Sequence, residues 1–399
     1  MNYVKCDNSK VVDMGLIKLI RNVEVYGPKY LGRKDVLIVG EKIGFIDEHM
    51  QVQVPEVEVY DGDGMVAIPG LIDSHVHFTG GGGEGGFSTR TPELKISDCI
   101  KNGVTTLVGC LGTDGVTRGL ENLYAKSKAM EQAGVTTYIY TGSYRVPPVT
   151  FTGSVQRDLV LIDKVIGVGE IAISDHRSSQ PTLEEILRIV ADARVGGMIA
   201  GKCGVVNFHV GGGRNGIGYL FDIIRETEIP HQHLYPTHMS RNKTLFESGL
   251  HFAQEGGFID LTGVQPDEQL KKEDFTAIDG IVEAYENGLI DRITISSDGQ
   301  GSLPRFDKEG NFTGLNVGSV GAVMYTLMKT VEKGISPSEV LKIATVNTAN
   351  VLKLNGKGRI AVGYDADIVL MRDWQVNTVL CRGKFAMKDG EITDLNVDW

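Results

Sequence analysis

The sequence predicts an α/β fold: a (β/α)8 TIM-like barrel with a small β-sandwich domain formed by both chain termini. Two observations carry this. Within 68–362, eight short apolar runs begin near Leu71, Thr105, Thr136, Glu170, Val205, Leu234, Phe258 and Ile293, each followed by a helix or loop. Continuous Val/Ile/Leu stretches such as 293–296 suit strands covered on both faces, and amphipathic stretches between them supply the crossovers. On either side of this section lies strand texture without helical periodicity. An open doubly wound sheet is the structural rival, and eight βα units over about 230 residues point instead to a closed barrel.

The N-terminal texture reads as strands over 22–26, 35–39 and 42–47, with Gly40-Glu41 as a hairpin turn. In the first βα unit Thr91 is the expected helix N-cap, Pro92 the first helical residue and Gly103 the stop. A longer crossover helix is expected over 181–200. The C-terminal texture gives strands over 366–371, 376–380 and 384–387, broken by Gly383 and by Asp389-Gly390. Two domains follow: 1–67 plus 363–399 as the sandwich, and 68–362 as the barrel.

A 399-residue chain with 41% hydrophobic and 23% charged residues has ample material for a large core, which excludes a disordered chain or a fibre. Forty Lys and Arg against 51 Asp and Glu leave a net charge of −11, which offers no electrostatic footprint for nucleic acid or an anionic membrane. An acidic substrate would therefore need locally placed arginines. The five cysteines (Cys6, Cys99, Cys110, Cys203, Cys381) are odd in number and scattered, so neither a disulfide framework nor a thiolate zinc site is indicated. No apolar run approaches the roughly 18 to 20 residues of a membrane span, and the N-terminus lacks a signal-peptide pattern. A cytoplasmic setting is expected.

In a barrel the reactive residues belong at the carboxyl ends of the strands. His75 and His77 close the first strand, and period-two alternation puts both imidazoles on one face, roughly 6.5 to 7 Å apart. His209 ends the fifth strand, His238 the sixth and Asp298 the eighth. Four histidines and an aspartate at one mouth suit a divalent cation, with zinc the first choice by ligand type. A lone His-x-His is weak evidence, because strand histidines are more often hydrogen-bonded core residues. His231-Gln-His233 shows the same spacing, yet it precedes the sixth strand, roughly 16 Å from its far end at ~3.3 Å per residue, and takes no ligand role. His49 and His251 read as structural or surface residues.

The string 68–77 (Ile-Pro-Gly-Leu-Ile-Asp-Ser-His-Val-His), the later strand-end histidines and aspartate, and the tail Gly-Tyr-Asp-Ala-Asp-Ile-Val over 363–369 resemble the amidohydrolase superfamily. Within it the chain is most similar to the isoaspartyl dipeptidase family of metallopeptidases, through 80–84, Thr113-Asp114, 141–144, 174–177, 236–241 and 297–302. The resemblance implies two divalent metal ions. One would be held by His75, His77 and Asp298, the other by His209 and His238. The family bridges its metals with a carbamylated lysine on the fourth strand, where this chain has Glu170 within 167–177. Glu170 could bridge directly, and a segment one residue longer than the family pattern could form a bulge that re-aims it. Alternatively Glu170 only begins a strand and pairs nearby, leaving a mononuclear site or one bridged by Asp175.

By the same resemblance, a hydroxide bridging the metals attacks the side-chain amide of a β-aspartyl dipeptide. Tyr144 would hold the oxyanion and Asp298 would shuttle the proton. Tyr144 could also merely pack at a strand edge. Glu84 would take the substrate ammonium, Arg177 and Arg241 its carboxylates, while Thr113 and Ser302 add hydrogen bonds and Gly82, in the 80–83 run, permits close approach. In loops such charges are ordinarily solvated, but these follow strands one, four and six. Arg90 and Arg145 read as surface charges, and His176 is assigned no role. A homo-oligomer is implied. Two rivals stand beside this reading. A cyclic-amide hydrolase of the hydantoinase/dihydropyrimidinase type explains the metal ligands but not the charged clamp. A non-catalytic scaffold of the same fold would typically have lost ligands.

Overall fold

The computed structural model describes residues 16–52, 56–268, 274–306 and 312–393. Cys6 and the outer parts of the expected sandwich domain, 1–15 and 394–399, lie outside the described residues. Eight parallel strands form a TIM-like barrel: Leu71–Val76, Val104–Gly109, Thr136–Thr141, Val165–Ile173, Val205–Val210, Leu234–Thr237, Ile259–Thr262 and Ile293–Ser296. The first six pair in sequence order, and the seventh pairs with the eighth. The ring closes through a parallel bridge between Val76 and Gly299. The Met239 amide donates to Asp260 O at 3.0 Å between the sixth and seventh strands.

These strands form where the sequence offers short runs that can be covered on both sides, and all but the third and seventh are buried at every position. The fourth begins at Val165, five residues before the expected start, so Glu170 lies well inside it. A helix follows each strand, from Ile96–Lys101 after the first to Gly321–Glu332 after the eighth. The crossover Leu183–Ala200 is fixed by a reciprocal cap between Thr182 and Glu185, buries Ile186, Ile189, Val190 and Ala193, and ends at left-handed Gly201. The first helix corrects the expected cap. It starts at Ile96, because the Thr91 hydroxyl is taken by Gly81 and Gln300 of the site loops.

Strands from both chain ends join one nine-stranded sheet. The link is Val66–Pro69, parallel to Ile17–Tyr26 on one side and antiparallel to Ile368–Arg372 on the other. The expected strands are present, most of them longer, and Val57–Asp61, Val66–Pro69 and Glu391–Ile392 are additions. Ile20, Val23, Val36, Ile38, Ile368 and Leu380 form a core cluster of their own beside the barrel's. The tail motif ties the two regions together, because buried Lys357 lies 2.9 Å from Asp365 and 2.5 Å from Asp367. Among the described residues no helix is long and apolar enough to cross a membrane, and Cys99, Cys110, Cys203 and Cys381 are buried free thiols.

Candidate metal centre

The first barrel strand delivers His75, with His77 one residue past its end, held by a bond from its amide to Gly299 O at 2.9 Å. His209 comes from the fifth strand. His238 and Asp298 lie just beyond the sixth and eighth, each with a left-handed backbone (φ 65° and 52°) that turns the chain at the barrel mouth. Between the fourth and fifth strands the register skips: Val168 faces Val206, but Ile171 faces Phe208. The extra residue on the fourth strand falls at Gly169 or Glu170, the bulge expected from its longer segment.

Glu170 is buried with imidazoles on several sides. Its Oε2 lies 3.1 Å from His209 Nδ1, 3.4 Å from His75 Nε2 and 3.7 Å from His238 Nε2, and its Oε1 lies 3.5 Å from His77 Nε2. Asp298 Oδ1 lies 3.1 Å from His77 Nε2 and 3.7 Å from His75 Nε2. The donor atoms fall into two groups, His75, His77, Cys110 and Glu170 in one and Glu170, His209 and His238 in the other, with members of each within 4.8 Å of one another. Glu170 belongs to both. Asp175 reaches His209 Nε2 at 3.0 Å and also pairs with Arg177 and neighbours His176, while the Glu170 contacts are imidazoles rather than a surface cation.

This arrangement fits divalent cations. His75 Nε2 is buried without a hydrogen-bond partner, which in the absence of a bound group would be costly. Burial alone would raise Glu170, but His75, His209 and His238 hold its carboxyl well below the usual range. Burial would lower His75 and His77, yet the anionic field led by Cys110 keeps both well above theirs. His238 goes the other way, pushed down to about 3 by burial and by neighbouring His209, and a cation taken up here would displace the protons that the anionic field favours on His75 and His77.

The centre opens into a cavity of about 950 Å³ lined by Glu84, Tyr144, Arg177, Arg241 and Ser302 among others. The Tyr144 hydroxyl lies 2.8 Å from His209 Nδ1. Burial and then Glu170 raise its phenol well above the ordinary value, so it keeps a proton to donate. Glu84 gathers three of the expected binding residues: Thr113 Oγ1 at 2.9 Å, Arg177 Nη1 at 3.3 Å and Ser302 Oγ at 3.4 Å. Arg177 is not an open fork. Its Nε and Nη2 already hold Asp175 at 3.0 and 2.8 Å, and its guanidinium lies 5.3 Å from the Tyr144 ring centre. Arg241 is exposed, spends Nε on Val210 O at 3.1 Å, and has no ion pair among the described residues. Gly82 has φ 72°, and a Cβ there would lie 2.5 Å from Thr89 O, so crowding by the loop's own backbone requires glycine.

The structure also corrects the reading of Arg90 and adds residues. Arg90 is no loose surface charge: it pairs with Asp114 at 2.9 Å. His231 and His233 stand apart, with His233 Nδ1 2.9 Å from Gly204 O and Nε2 2.8 Å from Arg194 Nη1. His251 is helical, and His49 is exposed. Missed by the sequence reading were Asn207, 2.9 Å from His75 Nδ1, Thr262, 2.7 Å from His238 Nδ1, and Cys110. Asn207 sits two residues before His209 on one strand, a spacing that could have marked it as facing the same interior. Nothing in one sequence marks Thr262.

A family profile described as "Amidohydrolase family" matches residues 66–392. Among solved structures, the chain is similar to the beta-aspartyl dipeptidase of Fervidobacterium islandicum AW-1 in complex with beta-Asp-Leu dipeptide: 65% identity, TM-score 0.89, covering 95% of this chain and 99% of that one. The dihydropyrimidinase of Brevibacillus agri shares the fold at 20% identity and TM-score 0.67, covering 94% of this chain and 96% of that one. Among curated proteins, an adenine deaminase of Desulfotalea psychrophila is 23% identical over 96% of this chain, which spans 58% of that relative's length.

Proposed function

The chain belongs to the amidohydrolase family and is a hydrolase, and from that premise we propose that it cleaves the isopeptide bond of β-aspartyl dipeptides using two divalent cations, zinc by ligand chemistry. The observation that carries the proposal is the conjunction of a carboxylate shared by two donor groups with a charged clamp of Glu84, Arg177 and Arg241 beside it. The 65% identity to a dipeptidase complexed with beta-Asp-Leu supports the same substrate class.

His75, His77 and Asp298 would hold one cation, His209 and His238 the other, with Glu170 between them. Bound there, the cations would supply Lewis acidity and a water acidified toward neutral pH. Tyr144 donates its phenolic hydrogen to the amide oxygen as negative charge develops on it. Asp298, kept anionic by the neighbouring histidines although burial acts against it, accepts the water's proton and passes it to the leaving amine.

The Glu84–Arg177 pair complements the α-amino and α-carboxylate groups of the aspartyl residue. Both side chains are over a quarter exposed and 3.3 Å apart, so opening their pair costs little, and the substrate replaces it with two new pairs. Arg241, free of ion pairs among the described residues, takes the carboxylate of the leaving residue. A cyclic amide would leave this clamp unused.

The same proposal includes the domain division at 67/68 and 362/363, a homo-oligomer and a cytoplasmic setting, supported by the separate core clusters, the resemblance and the free thiols. The test is to supply zinc-loaded protein with β-Asp-Leu, α-Asp-Leu, dihydrouracil and adenine. The expected outcome is release of Leu from β-Asp-Leu alone. Turnover of dihydrouracil or adenine with β-Asp-Leu left intact would contradict the proposal.

A further inference from the structure

A ligating imidazole presents one nitrogen to its cation only if the other is tied, so the partners behind the histidines matter as much as the face in front. His75 Nδ1 lies 2.9 Å from Asn207 Oδ1, and His238 Nδ1 lies 2.7 Å from Thr262 Oγ1. His209 turns Nε2 toward Asp175 Oδ2 at 3.0 Å. His77 is different. Its Nε2 faces Asp298 and Glu170, and the partner of its Nδ1 is a sulfur, Cys110 Sγ at 3.8 Å.

Cys110 is itself firmly placed. It follows the second barrel strand, is fully buried, and donates its amide to Val76 O at 3.0 Å. Its sulfur lies within 4.8 Å of a donor atom of each of His75, His77 and Glu170, and His75 Nε2 is itself buried without a hydrogen-bond partner. We propose that Cys110 is a positioning residue of the metal centre: its sulfur accepts the Nδ1 hydrogen of His77 and so keeps the Nε2 lone pair directed at the cation's side. Alanine there would leave Nδ1–H buried without an acceptor. Serine would keep one.

This inference rests on the two-cation reading, and its test reads metal binding rather than turnover. Chelator-stripped parent, Cys110→Ala and Cys110→Ser are titrated with cobalt(II) and followed by absorption and by competition with a chromophoric chelator. The parent and Cys110→Ser should take up two ions with matching affinities. Cys110→Ala should lose about 10- to 100-fold in affinity for one ion and keep the other. The parent should show no intense near-ultraviolet sulfur-to-cobalt band. Parental affinity for both ions in Cys110→Ala, or weakened binding in Cys110→Ser, overturns the proposal. So does a sulfur-to-cobalt band that vanishes in Cys110→Ala, since the sulfur would then be a ligand. If Cys110→Ala does not fold, the serine variant and the parent spectrum decide. A parent binding fewer than two ions overturns the two-cation reading and this inference with it. A parent with two ions but no β-Asp-Leu cleavage overturns only the substrate.

Discussion

Glu170 stands where the resemblance leads one to expect a lysine, and the bulge at that point of the fourth strand lets a shorter side chain reach imidazoles from three strands. If the residues act as proposed, Tyr144→Phe should lower kcat on β-Asp-Leu by about 10²- to 10³-fold with KM little changed and both cations retained. An unchanged kcat would return Tyr144 to a packing role. Arg241→Met should raise KM for β-Asp-Leu about 10- to 100-fold, the loss of a hydrogen bond to a charged group worth roughly 1.5 to 3 kcal/mol. The same substitution should leave β-Asp-leucinamide unaffected, and equal effects on both would place Arg241 elsewhere. The histidines and the aspartate that gather at the barrel mouth were legible because strand-end position and residue type suffice to nominate them. Arg177 was only half legible: the sequence shows its charge but not that Asp175, two residues before it, already occupies its fork. Asn207 and Thr262 were not, because what makes them matter is a ring nitrogen contributed by another strand.

Barrel strands were the easiest elements to read, since burial on both faces leaves continuous apolar runs. Their starts were less certain: Val-Ile-Gly-Val-Gly is a weak apolar run, and the fourth strand nonetheless begins at Val165. The first helix was misread at its start because a Thr-Pro pair fits a cap locally, while the tertiary demand of the glycine loop for the Thr91 hydroxyl prevailed. Helix packing offers a test at this scale. A Cβ at Gly197, on the inner face of Leu183–Ala200, would lie 2.6 Å from Gly204 Cα. That atom is backbone and cannot rotate away. Alanine should gain about 1 kcal/mol of helix propensity, yet overpacking of this kind typically costs about 1 to 3 kcal/mol. We expect Gly197→Ala to melt at a lower temperature with parental KM. A melting temperature equal to or above the parent's would show that helix and loop can separate without cost.

At the scale of the whole molecule, a buried polar layer beneath the centre joins strands six to eight: Asp260 accepts from Thr237 at 2.7 Å, Thr294 at 2.8 Å and Ser296 at 2.5 Å. Burial raises its carboxyl above the usual range although these hydroxyls act against the rise. A group that binds its proton more tightly folded than unfolded contributes stability present below its unfolded value, and that contribution is lost as pH rises through the folded one. The melting temperature of Asp260→Asn relative to the parent should therefore climb as pH rises above about 4. A pH-independent difference would mean that Asp260 titrates alike in both states. The barrel was legible from eight repeats of one pattern. How the terminal strands join into one sheet was not, because the linking strand Val66–Pro69 is only four residues long and pairs with strands from both ends of the chain.

All of this depends on two cations sharing one glutamate. The most direct measurement is anomalous diffraction at the zinc edge from crystals grown with zinc. The account predicts two peaks flanking the Glu170 carboxylate, one beside His75 and His77 and one beside His209 and His238. A single peak, or two peaks with Glu170 touching neither or only one, would contradict it.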